Sequence, residues 1–238
     1  QIGCVDEVVT VDKFSDILKP EIQKKLRAQN TIFIHNRYFW VYFDNFSKVE
    51  TDFEVPIFGS REMLKMEERD QPLNQYHLLE KAGIRIPRLF KKAGDIDRLA
   101  LVKVNEANRG YERAFFTATS FDDYKKKSGE LLKEGKITEE ALGKAVIEEF
   151  IVGAQVNLNF FYSPFAEEVE LMGTDMRRQT NLDGILRLPA WTQVALQEEL
   201  SENLKLIETG HIAVTMKESL IEKALELGEK FVATTQKE

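Results

Sequence analysis

The sequence predicts a mixed fold, an α/β layer followed by an α+β unit. Two observations predict it. Short apolar segments alternate with helical ones as far as Gly83, the pattern of an α/β layer with parallel strands. Further on, residues 155–161 and 168–174 alternate with a period of two, the mark of a sheet with one greasy and one polar face. In the first of these, Val156, Leu158 and Phe160 share one face and Gln155, Asn157 and Asn159 the other.

Taken in order, residues 8–11 read as a strand and Ser15 as the cap of a short helical turn. Residues 21–29 are helical by propensity, Asn30 breaks the helix, and the β-branched residues 31–34 follow as a strand. Residues 38–43 are strongly aromatic. Residues 55–58 form a short apolar strand ending at Gly59, and Ser60 precedes a helical run with Met63, Leu64 and Met66. A helix over 75–82 closes at Gly83, a natural C-cap.

Pro87 opens the next unit. Strands at 99–104 and 114–117 bracket residues 105–113, and helices follow at 121–132 and 138–144, the second capped by Thr138. Residues 146–152 are a strand that carries Glu148 and Glu149 and ends at Gly153. The alternating pair comes next, joined by a turn at Tyr162-Ser163-Pro164, since proline ends ladder pairing. Asp175, Arg177, Arg178, Asn181, Asp183 and Arg187 then crowd into an ordered polar loop. Residues 193–206 read as a helix or a loop, and 211–215 as a strand. Residues 217–232 form an amphipathic helix with Leu220, Ile221, Ala224, Leu225 and Leu227 inward.

Composition narrows the function classes. A chain of 238 residues, 31% charged and 43% hydrophobic, buries a sizeable core in one large or two small domains. A net charge of −7 argues against a nucleic-acid or membrane-surface binder. No apolar run approaches a membrane span, and the first residues show no secretory signal. The single cysteine, Cys4, excludes an internal disulfide and a thiolate zinc cluster, so a reducing cytoplasm is the expected location.

Several residues carry chemistry. Lys103 alternates out of the apolar run L-V-K-V, where a lysine needs a phosphate or carboxylate partner; a strand-edge lysine reaching solvent is the alternative. Glu148 and Glu149 are adjacent on a strand, so one of them at most can face a nucleotide and accept from ribose hydroxyls. Arg177, Arg178 and Arg187 with Asn181 and Asp183 suit ribose-phosphate recognition, because arginine grips phosphate bidentately; a surface ion-pair loop is the alternative. The three histidines, His35, His77 and His211, lie far apart and read first as structural or surface residues.

The blocks VDKFSDIL, VPIFGSREMLKMEE, LLEKAGIRIP, E-E-F-x-x-G, NFFYSP, V-E-L-x-G-x-D and N-x-D-G-x-x-R-x-P-A follow one another along the chain. In that order they resemble the archaeal formaminoimidazole-carboxamide ribonucleotide synthetase (PurP) family of the ATP-grasp superfamily. The resemblance implies an ATP-grasp-like fold with an N-terminal preATP-grasp α/β layer. It implies a preATP-grasp domain over 1–86 and an ATP-grasp domain over 87–238, with a small nucleotide-binding subdomain at about 99–152 and a central sheet from 153. It implies an ATP-dependent ligase of purine biosynthesis that forms a carbon–nitrogen bond through formyl phosphate, with ATP and Mg as cofactors.

Carried over residue by residue, Lys103, Glu148, Glu149 and Gln179 would meet ATP. Tyr38, Arg177, Asn181, Asp183 and His211 would meet the substrate. No catalytic side chain and no metal ligand is assigned. The chain departs from the family at several of these positions. Tyr38 stands for a serine, Gln179 for a glutamate and His211 for an asparagine, and residues 105–113 keep one glycine, Gly110, of a glycine-rich phosphate loop. The family's first strand falls before Gln1 and its two metal-binding carboxylates after Glu238. Those changes leave a second reading open, a non-catalytic nucleotide-binding or assembly subunit paralogous to the ligase. Either form is expected to act on small molecules, as a homo-oligomer or paired with a paralogue.

Overall fold

The computed structural model describes residues 5–34, 46–59, 61, 66, 69, 71–105, 114–163, 165–182 and 184–238, with the backbone alone at 46, 47, 178, 179, 208 and 209. The predicted aromatic segment 38–43, and most of the helical run after Ser60 and of the Gly110 loop, lie outside these residues. Two units divide the chain, Gln1–Gln75 and Tyr76–Glu238.

In the first unit, a 3-10 turn at Phe14–Leu18 leads into α1 (Pro20–Ala28). Asp16, not Ser15, gathers the start of that turn: its carboxylate accepts from the backbone of Asp12 and Lys13, both at 3.2 Å. Pro20 enters α1 where a missing amide costs nothing, and Asn30 leaves it in the left-handed region at φ 52°. The strands expected at 8–11, 31–34 and 55–58 reduce to one parallel bridge, Phe33 to Ile57. Residues 8–11 are exposed, with no partner strand among the described residues to complete a ladder. The core is Val49 and Phe53, on and just past α2 (Phe46–Asp52), together with Val55, Phe33 and Leu26. Buried Gln23 staples it, donating to the carbonyls of Leu18 and Asp52 and accepting from the amide of Glu54.

The second unit opens on α3 (Gln75–Lys81). Gly83, at φ 67°, ends it with paired bonds from Gly83 to Glu80 and from Ile84 to Leu79. An antiparallel sheet follows in the order β1-β4-β2-β3: β1 Leu89–Phe90, β2 Ala100–Lys103, β3 Phe116–Ala118 and β4 Val146–Glu149. One face is apolar. Phe90, Ala100, Val102, Phe116, Ala118 and Ile147 pack against α4 (Phe121–Lys133) and α5 (Glu139–Gly143). Ser120 and Thr138 cap these helices through the amides of Asp123 and Ala141.

The other sheet is β5 (Asn157–Ser163), β6 (Glu168–Thr180) and β7 (Leu206–Ala213), all antiparallel. Here the largest correction falls. The polar loop expected from Asp175 onward is strand as far as Thr180, paired with β7, and β5 runs through the expected turn to Ser163. Alternation was hidden because both faces carry polar side chains at the end of β6. The segment 193–206 is helical in two pieces around Leu196, after α6 (Ala190–Ala195) comes α7 (Gln197–Asn203). The last helix, α8 (Glu218–Thr235), covers the apolar face of the three-stranded sheet, where Gly228 lies against Phe160. Its buried residues are Ala224 and Gly228, whereas Leu220 and Leu227, expected inward, are 46% and 40% exposed. No helix of the described residues is long and apolar enough to cross a membrane.

Candidate functional site

Each sheet of the second unit turns one face to a helix layer and keeps charged side chains on the other. On the four-stranded sheet, Leu101 pairs with Glu148 and Lys103 with Val146, so the period of two puts Lys103 and Glu148 diagonally together, away from the apolar core. Lys103 Nζ stands 2.6 Å from Glu148 Oε1. Tyr76, from α3, donates its hydroxyl hydrogen to Glu148 Oε2 at 2.7 Å, and Lys103 Nζ donates to that hydroxyl at 3.2 Å. The carboxylate side chain is 7% exposed and the lysine 19%. The partner that the strand pattern demands of Lys103 is thus a carboxylate of its own sheet. Glu149 faces the opposite way, as strand geometry requires, accepting from the backbone of Arg88 at 3.1 Å with Arg98 at 3.6 Å.

The second cluster lies on the polar face of the three-stranded sheet. Asn157 pairs with Asp175, and Arg177 with His211, in register. Asp175 Oδ1 accepts from Asn157 Nδ2 at 2.9 Å and lies 2.9 Å from His211 Nδ1, while Oδ2 accepts from Asn159 Nδ2 at 2.8 Å. Asn159's donation, then those of Asn157 and His211, hold the Asp175 carboxyl down to about 2.

The structure therefore brings Arg177 and His211 together, and Lys103 with Glu148. Asn181 stands past the end of β6. Its amide donates to Asn203 and accepts from the backbone of Lys205, a clasp onto the segment that enters β7. Tyr38 and Asp183 lie outside the described residues, as does the side chain of Gln179. Sequence reasoning missed two participants. Tyr76 arrives from a helix 27 residues before Lys103, and nothing in its surroundings marks it. Asp175 read as one polar residue among many, although its place opposite the Asn157 alternation was a usable signal. Among the described residues no three His, Cys, Asp or Glu side chains form a group that could hold a metal ion.

A family described as a protein of unknown function (DUF1246) matches residues 1–90, and a domain of unknown function (DUF1297) matches residues 123–238. Among curated proteins, the 5-formaminoimidazole-4-carboxamide-1-(beta)-D-ribofuranosyl 5'-monophosphate synthetase of Methanocaldococcus jannaschii is 40% identical over 230 residues, 96% of this chain. That of Methanothermobacter thermautotrophicus is 39% identical over 233 residues, 98% of this chain. Over nearly its whole length the chain is similar to these synthetases. The chain spans 61% of the length of each of these two PurP relatives. Among solved structures, an IMP biosynthesis protein PurP from Thermococcus kodakaraensis superposes with a TM-score of 0.60 at 24% identity, covering 97% of this chain and 60% of that one. The fold, a mix of helices with two antiparallel sheets, is accordingly that of the PurP structure.

Proposed function

We propose that this chain carries the nucleotide-handling and substrate-handling parts of an ATP-dependent ligase of purine biosynthesis. The reaction is formylation of the amine of aminoimidazole-carboxamide ribonucleotide. One observation carries the reading: identity of 40% to the Methanocaldococcus synthetase through 96% of the chain. ATP supplies the phosphoryl group that activates formate, and the chain's own side chains position and stabilise charge. In this reading the domain division falls near residue 86, with the four-stranded sheet as the smaller nucleotide subdomain and the three-stranded sheet as the start of the central domain.

Lys103 is the phosphate contact. Its ammonium sits at the polar face of β2, and its pairing with Glu148 keeps it ordered and partly shielded before a nucleotide arrives. Glu148 shares the Lys103 face of the sheet and is therefore the candidate acceptor for ribose hydroxyls, with Glu149 on the opposite face. Arg177 and His211 meet the ribonucleotide, with Tyr38, Asn181 and Asp183 as the remaining substrate contacts and Gln179 as the remaining ATP contact that the family pattern implies. Magnesium would enter with the nucleotide phosphates.

Calorimetric titration of ATP with magnesium into the wild-type chain and Lys103→Ala tests the reading. The expected result is micromolar binding that Lys103→Ala weakens at least tenfold, followed by turnover with formate and the ribonucleotide. Absence of any nucleotide binding to the folded wild-type chain would refute it.

A further inference from the structure

The Asp175 cluster has a geometry that phosphate binding alone does not require. Asp175 receives hydrogens from two asparagine amides and faces the Nδ1 of His211. Because those donations keep it ionised, the carboxylate can only accept, and an obligate acceptor beside Nδ1 fixes the neutral imidazole with its hydrogen there. Nε2 is then left with its lone pair. The His211 side chain is 46% exposed, so that lone pair is within reach of a ligand, whereas α8 lies on the opposite face of the sheet. Arg177 is the direct cross-strand neighbour of His211, its side chain exposed. Among the described residues, the other charged groups of this face are Glu168 and Glu170, farther along β6 beyond the bulge opposite Asn159 and Phe160.

We infer that Asp175 is a positioning residue that presents His211 Nε2 as a proton acceptor for an N–H or O–H of an anionic ligand whose charge Arg177 meets. The inference rests on the ligase reading for the identity of that ligand, the aminoimidazole-carboxamide ribonucleotide. There the exocyclic amine nitrogen bonds to the carbon of formyl phosphate, and the carbon–oxygen bond to phosphate breaks. Phosphate leaves with that electron pair, and the amine proton passes to Nε2. The resulting imidazolium lies against an ionised Asp175, the arrangement by which a carboxylate both orients a histidine and stabilises its charged form.

The test uses the full chain with ¹⁵N-labelled histidine, His211 being assigned through His211→Gln. Nitrogen shifts at pH 7.5 are expected to show the Nδ1–H form in wild type and the Nε2–H form in Asp175→Asn, whose amide can donate to Nδ1. Adding the ribonucleotide is expected to move the Nε2 resonance in wild type. In single-turnover formylation, Asp175→Asn and His211→Gln are each expected to lose on the order of 100-fold in rate, a larger loss than either shows in ribonucleotide affinity. His211→Gln, an exposed substitution, carries the kinetic test if Asp175→Asn does not fold. A wild-type Nε2–H tautomer, or an Nε2 resonance untouched by the ribonucleotide, would overturn the inference. Failure of the wild type to turn over while the tautomer and the ribonucleotide shift are as expected would count against the ligase reading and leave the dyad standing.

Discussion

Replacing Lys103 by methionine keeps the length and most of the apolar stem of the side chain while deleting its charge. Glu148 then keeps a single donor, the Tyr76 hydroxyl, for a carboxylate that is almost fully buried. At 2.6 Å the pair's Coulomb attraction is about 6 kcal/mol at an effective dielectric of 20. Desolvation offsets much of it, and breaking a buried pair from one side costs about 3–5 kcal/mol. Because the lysine is 19% exposed, water screens part of the interaction, so a loss of roughly 2–4 kcal/mol is expected for Lys103→Met. Glu148→Gln, which leaves the ammonium freer to turn to solvent, is expected to cost less. The double variant should recover part of the loss, since neither charge is left unpaired. Urea unfolding of the wild type, both single variants and the double variant gives all four values, with m compared across them. Additive losses in the double variant, or a Lys103→Met change within about 0.5 kcal/mol of zero, would refute the argument that the two charges depend on each other.

Gln193, fully buried, donates to the carbonyls of Gly153 and Leu188 and accepts from the amide of Gly153, so Gln193→Ala strands three backbone groups and is expected to cost about 2–4 kcal/mol in urea unfolding. A methyl group on Gly228 would stand 2.8 Å from the Phe160 ring; overpacking of about 1–3 kcal/mol against a helix gain of about 1 predicts a net loss near 1 kcal/mol for Gly228→Ala, read by thermal melting. Asp175 titrates lower in the fold than in the unfolded chain, so its contribution is complete above about pH 4 and disappears as pH falls through about 2. Melting temperature measured between those limits should therefore fall less steeply for Asp175→Asn than for wild type.

The sequence by itself determined the helices that announce their own ends and the strands with one apolar face. Thr138 caps where capping chemistry predicts, Gly83 terminates α3, and the Ala100–Lys103 strand buries Ala100 and Val102 and turns Lys103 the other way, as its sequence implies. Such signals are local, so they survive without knowledge of the neighbours. The opposed directions of Glu148 and Glu149 follow from strand geometry for the same reason. Only tertiary structure decided who meets whom. Residues 175–180 became strand because β7 supplied a ladder partner, and residues 8–11 did not, with no such partner among the described residues. The Tyr76–Glu148–Lys103 contact joins residues 27 and 72 positions apart, and Asp175 becomes the hub of a histidine and two asparagines only when three strands lie in register. Pairing across strands is a property of register, and register is set by packing over the whole sheet, not by any one segment of the chain.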